Sequence, residues 1–145
     1  MTAIERLVER WRTEDDVGLR PGASSDQLDD FEAKVGVSLS PSFRELYLLA
    51  DGMDDCAMDD ILVSMWSLAR IESENGFRWN PEKRRHEMIF ADWLIGSFHY
   101  LWCISDDGVE SLEREWEPMT DSLESFAARC LELLESPDEY AGQTP

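Results

Sequence analysis

The sequence predicts an α+β domain, and three observations carry that reading. Apolar stripes at helical spacing, each with its own start or stop signal, fill the first third of the chain. Phe98, Tyr100, Trp102 and Ile104 alternate with Ser97, His99, Leu101 and Cys103 and run into Asp106-Asp107-Gly108, a hairpin-type turn. A clean amphipathic stripe then closes the chain. Helices, then antiparallel strands, then a helix make a segregated rather than an alternating fold class.

Ile4, Leu7, Val8 and Trp11 form the first helical stripe, which ends before the polar run 13–18. Pro21-Gly22 marks a turn. Ser24 stands three residues before Gln27 in a capping-box pattern. Leu28, Phe31 and Val35 follow as a second helix, with Gly36 as its C-terminal cap. Ser40 caps a third, Pro41 suits its first position, and Phe43, Leu46, Tyr47 and Ala50 form its stripe. Asp51-Gly52 ends it.

The segment 51–60 is a loop with five aspartates and no basic residue. Ile61 to Leu68 reads as a strand, apolar on both faces and hence central in its sheet. Ala69 to Asn75 is a short helical turn. Phe77 to Glu87 reads as a polar loop with the one basic cluster, Arg78, Lys83, Arg84, Arg85 and His86. Met88 to Ala91 is a short apolar run, and Val109 to Leu112 is the strand returning from the Gly108 turn. Asp121 precedes Glu124 as a cap for the last helix, whose stripe is Leu123, Phe126, Ala127, Cys130, Leu131 and Leu134. Ser136-Pro137 stops it, leaving 1–136 as one domain and 137–145 as a tail.

Charge is the unusual property. Among 145 residues, 32 Asp and Glu stand against 13 Lys and Arg, a net of −19. That field repels phosphate backbones and anionic lipid, which argues against nucleic-acid and membrane partners. It favours basic protein partners and speeds their encounter. Three cysteines in no framework spacing suit a reducing compartment. The N-terminus lacks the pattern of a signal peptide and no stretch is a convincing membrane span, so the expected location is the cytoplasm.

Chemical motifs are sparse. His86 and His99 fall in different elements and no cysteine pair has zinc spacing, so no metal is expected. The aspartate loop lacks the Gly and Glu that a calcium loop needs. No nucleophile elbow or phosphate-cradling loop is present, and Ser97 with His99 has no third member to orient the imidazole. Neither a catalytic residue nor a cofactor is expected.

The segment from Leu19-Arg20-Pro21-Gly22-Ala23 through Asp51-Gly52-Met53 resembles the amino-terminal signature of the SUKH superfamily, fungal cell-wall regulators and bacterial immunity proteins. Glu32, Gly36, Leu39, Pro41, Phe43, Leu46, Asp51 and Gly52 occupy the signature places, with Ser40 inserted between Leu39 and Pro41. Trp66-Ser67-Leu68, Phe90-Ala91-Asp92-Trp93 and Ser122-Leu123-Glu124-Ser125-Phe126 resemble the later blocks in the same order. The resemblance implies N-terminal helices and a C-terminal helix packed around a curved, mainly antiparallel sheet. It also implies protein binding without catalysis. An immunity protein would neutralise a cognate toxin; a regulatory or scaffold module of the same fold would have another partner.

Candidate contact residues follow from residue type. Asp54, Asp55, Asp59 and Asp60 make either a solvated loop or a docking patch for a basic, nuclease-type toxin. Trp79 in the polar segment and Trp93 after Asp92 are either packed or interface anchors.

Overall fold

The structure, a computed structural model, describes residues 1–14, 16–115, 117–136 and 145. The elements run α1 Ala3–Arg12, α2 Ser25–Val35, α3 Pro41–Leu49, β1 Val63–Met65, α4 Leu68–Ser73, β2 Phe77–Asn80, β3 Arg85–Trp93, β4 Phe98–Ser105, β5 Glu110–Arg114, β6 Glu117–Thr120 and α5 Leu123–Glu135. The tail expected at 137–145 falls, except for its last residue, outside the described residues.

The predicted helices form for the reasons their sequences give. Ser24 Oγ accepts from Gln27 N while Gln27 Oε1 accepts from Ser24 N, closing a capping box. Gly36 ends α2 in the left-handed region at φ 73°. Ser40 Oγ accepts from Phe43 N, and Pro41 follows at the first helical position. Glu32 binds the two helices together, since its Oε1 accepts from Leu39 N at 3.1 Å and from Arg44 Nη1 at 2.8 Å. Asp121 is not the cap of α5: Ser122 accepts from Ser125 N, and the Asp121 carboxylate accepts from the Ser125 hydroxyl instead.

The sheet is open, and every pairing in it is antiparallel, in the order β1-β3-β4-β5-β6, with β2 also on β3. Three expectations are corrected here. The segment 61–68 contributes only Val63–Met65, at the edge of the sheet beside Trp93, Asp92 and Ala91. All three residues are buried, with Val63 and Met65 beside Ile4, Leu7 and Trp11 of α1 and Leu46 of α3, and such burial records cover rather than a central place. The polar segment 77–87 is a hairpin, β2 paired to the first half of β3, and Met88–Ala91 is the middle of that long strand. A sixth strand, β6, follows β5 and carries Pro118 at the outer edge, where a residue without an N–H is tolerated. Bulges between Ile89 and Ala91 and between Leu112 and Glu113 bend the strands.

Helices cover one face. Phe126 of α5 lies edge-on to Phe90 at 5.3 Å and to Tyr100 at 5.2 Å. Phe43 of α3 meets Trp102 at 5.1 Å and stacks on Tyr47 at 4.6 Å. Such rings each bury roughly 150–250 Å², worth on the order of 4–6 kcal/mol at about 25 cal/mol per Å² before entropy is counted.

Candidate protein-binding surface

The acidic loop divides into surface and interior. Asp54, Asp55 and Asp60 are exposed. Asp59 is 4% exposed, which removes it from the exposed set read from the sequence. Its Oδ1 accepts from Ile61 N at 3.0 Å and Val63 N at 2.9 Å. Its Oδ2 accepts from the Trp11 indole at 2.8 Å. One carboxylate thus ties α1, the loop and β1 together, and the other three aspartates are displayed on a braced segment.

Burial raises the Asp59 carboxyl to about 6, against the hydrogen bonds from Trp11, Val63 and Ile61 that favour its ionised form. Burial also raises Glu14 to about 6, helped by the charges of Asp60 and Asp59 and opposed by Arg10. A raised carboxyl pKa means that the folded chain holds the proton more tightly than the unfolded one. The stability this gives is complete below the unfolded carboxyl range and is lost as pH rises through about 6. The expected result is a melting temperature several degrees higher at pH 5 than at pH 7.5. In Glu14→Gln/Asp59→Asn that rise shrinks, whatever the variant's absolute stability; an unchanged pH profile by thermal melt contradicts the assignment.

The two tryptophans lie far apart. Trp79 on β2 is 43% exposed and meets the His86 ring edge-on at 4.8 Å. Trp93 ends β3, half-buried, with its indole donating to the Ile61 carbonyl at 2.9 Å. Trp93 is seven residue steps along the strand from His86, about 23 Å at 3.3 Å per residue. The structure therefore brings Trp93 to the acidic loop through Ile61, the residue after Asp60, and leaves Trp79 at the other end of the strand.

The sheet face away from the helices carries charge that the sequence reading placed in a loop. Glu87 and Glu113 are buried, and the Arg85 guanidinium donates to both. Arg78 pairs with Glu87 at 2.7 Å, Asn80 Nδ2 donates to it at 3.2 Å, and Lys83 lies 3.8 Å from Glu113. Burial alone would raise Glu87; the bonds from Arg85, Arg78 and Asn80 outweigh it and hold the carboxyl below its usual range. Cys103 completes a buried group in which ligand atoms of Glu87, Cys103 and Glu113 lie within 4.8 Å of one another. Arg85 is already the cation between the carboxylates, and burial pushes the thiol up to about 12, so it stays protonated and binds metal poorly.

Beside this network a cleft of about 230 Å³ has Phe77, Ile89 and Leu101 as its apolar lining, with Arg78 and His99 among its polar residues. His99 Nδ1 is 2.7 Å from Glu115 Oε1. Ser97 lies in the turn before β4 and donates to the Leu94 carbonyl at 3.1 Å, so its hydroxyl is directed into the turn rather than to the imidazole. The basic residues stood out in the sequence as a cluster, but Glu113 beside Arg85 and Glu115 beside His99 did not, because strand pairing brings those pairs together.

Among the described residues, no helix is long and apolar enough to cross a membrane. No curated protein matches the chain. The signature residues read from the sequence, by contrast, have structural roles that a family would share: Glu32 joins α2 to α3, Gly36 ends α2, and Asp51 Oδ1 accepts from Leu68 N at 2.9 Å. The model of the SMI1 / KNR4 family (SUKH-1) matches residues 22–129, more than half of the chain, and the chain belongs to that family.

Proposed function

We propose that this chain is a non-catalytic immunity protein that neutralises a cognate basic, nuclease-type toxin by direct binding. The observation that carries the reading is a net charge of −19 on a SUKH-family domain, with Asp54, Asp55 and Asp60 displayed on one braced loop. Nuclease clefts are basic because they hold phosphate backbones. An acidic inhibitor is steered to such a cleft, and covering it is enough to exclude the substrate.

The test is to express the protein encoded next to this chain's gene, alone and together with the chain. Death without the chain, rescue with it, and a tight 1:1 complex support the reading. A harmless neighbour that forms no complex overturns it and favours a regulatory or scaffold module with another partner. Within the complex, Asp54→Lys/Asp55→Lys/Asp60→Lys is expected to slow association roughly 10-fold or more at low salt and to flatten its salt dependence. An unchanged on-rate removes the acidic loop from the encounter.

A further inference from the structure

We propose that the tip of the β3–β4 hairpin, Trp93 to Phe98, is an apolar anchor that seats in a pocket of a basic protein partner; this rests on the toxin-binding reading above and names the surface that does it. Leu94, Ile95 and Phe98 are 42%, 63% and 37% exposed. No other turn among the described residues gathers three large exposed apolar side chains. Trp93 lies beneath them, its ring 5.7 Å from that of Phe98.

The backbone makes this composition harder to explain by folding. Leu94, Ile95 and Gly96 take φ values of 49°, 51° and 82° in succession. The left-handed region is strained for an L-residue, and a β-branched residue is an outlier there. Asn or Gly would fill both positions with less strain and better solvation. Stability and solubility thus both disfavour Leu94 and Ile95, and residues retained against both are candidates for a contact.

The tip is also held in place before any partner arrives. Leu94 N donates to the Leu62 carbonyl at 2.9 Å, Trp93 Nε1 to Ile61 at 2.9 Å, and Gly96 N to Asp92 Oδ1 at 3.3 Å. Ser97 N closes the turn on the Trp93 carbonyl at 3.0 Å. A braced apolar knob loses little entropy on docking.

The rim sets the partner's chemistry. Asp60 borders Ile61 on one side. On the other, Arg114 lies over the Phe98 ring at 5.4 Å and pairs with Glu117 at 3.1 Å, and Glu115 holds His99. A second copy of the chain would bring another acidic rim and another −19 against this one. A basic surface with an apolar pocket complements both the knob and its rim.

The test is Leu94→Asn/Ile95→Asn, with Val109→Asn as control, since Val109 is an exposed apolar residue at the β4–β5 turn. The probe is the toxin domain encoded by the neighbouring gene. The double variant is expected to melt at the wild-type temperature or above it, because strain is relieved. It is expected to bind roughly 30-fold more weakly or worse, the loss expected of a hot spot, through faster dissociation with little change in on-rate. The control binds as wild type does. If wild type and double variant bind alike, the anchor is overturned and the immunity reading stands. If the double variant melts several degrees lower, the tip is part of the fold's packing and the proposal fails. If wild type forms dimers in sedimentation that the double variant does not, the occupant is a second copy and the assignment is wrong. If wild type does not bind the toxin domain, the immunity reading falls and takes the basic partner of the tip with it.

Discussion

Replacing Arg85 with Ala is expected to destabilise the fold by about 3–5 kcal/mol, the cost of removing one partner from a buried ion group. The guanidinium donates to Glu87 and Glu113, which are 3% and 4% exposed. Without it two carboxylates lie side by side on the sheet, with Lys83 and Arg78 reaching them only from more exposed positions. The Glu87 carboxyl then loses the bond that did most to hold it below its usual range, so the variant should regain stability as pH falls. In the wild type the sign for Glu87 is the opposite. Its lowered carboxyl contributes stability above the unfolded carboxyl range and loses it as pH falls through the folded value. Urea melts at pH 7.5 and pH 5 should therefore show a larger gain at the lower pH for the variant than for the wild type, whose own gain comes from Asp59 and Glu14. A second variant, Arg85→Met/Glu113→Met, should restore part of the loss because it removes a charge along with its partner. Arg84, next in the chain and paired with Asp106 at 2.7 Å in solvent, should cost only about 0–1 kcal/mol when changed to Ala. Equal losses at the two arginines would contradict the buried-counterion account.

The second large effect is expected at Gly52, where Ala should cost about 3 kcal/mol or more from two sources at once. The residue sits at φ 70°, which an L side chain takes up only with strain. A Cβ there would stand 2.5 Å from both Ser67 N and the Trp66 carbonyl carbon, and these are backbone atoms that cannot swing aside. The contact matters because Asp51 and Gly52 hold the end of α3 against the start of α4. Asp51 accepts from Leu68 N, and the Tyr47 hydroxyl donates to the Trp66 carbonyl at 2.7 Å. Gly36→Ala is the matched comparison, with a similar φ of 73° but nothing within 4 Å of its Cβ. It should cost only the strain, about 1–2 kcal/mol. If chemical denaturation gives equal losses for the two, close approach is not what selects glycine at position 52.

The helices were legible in the sequence because their signals are local. Ser24, Gln27 and Gly36 act within one turn of the residues they cap, and a stripe such as Phe43, Leu46 and Tyr47 lies on one face by geometry alone. The hairpin of β2 and β3 was not legible. Arg78 and Asn80 look like loop residues until Glu87 lies across from them, and Arg85 meets Glu113 only through β4. The candidate site divides in the same way. Asp54, Asp55 and Asp60 follow from composition, but Asp59 is separated from them by a hydrogen bond to Trp11, 48 residues earlier. Leu94 and Ile95 read as the continuation of an apolar run, since sequence does not show that the strand has ended and that φ has turned positive.

The outer strand β6 has a consequence for how any partner reads this molecule. Pro118 offers no N–H and the neighbouring Glu117 places a charge on the rim, so this edge is a poor template for another strand. Recognition by lending backbone to an incoming chain, which tolerates many sequences because every peptide has the same amides, is disfavoured here. A partner approaching from this side reads side chains instead, and side chains distinguish one partner from its close cousins. A few substitutions on the surface can then change whom the protein accepts while the sheet beneath stays the same.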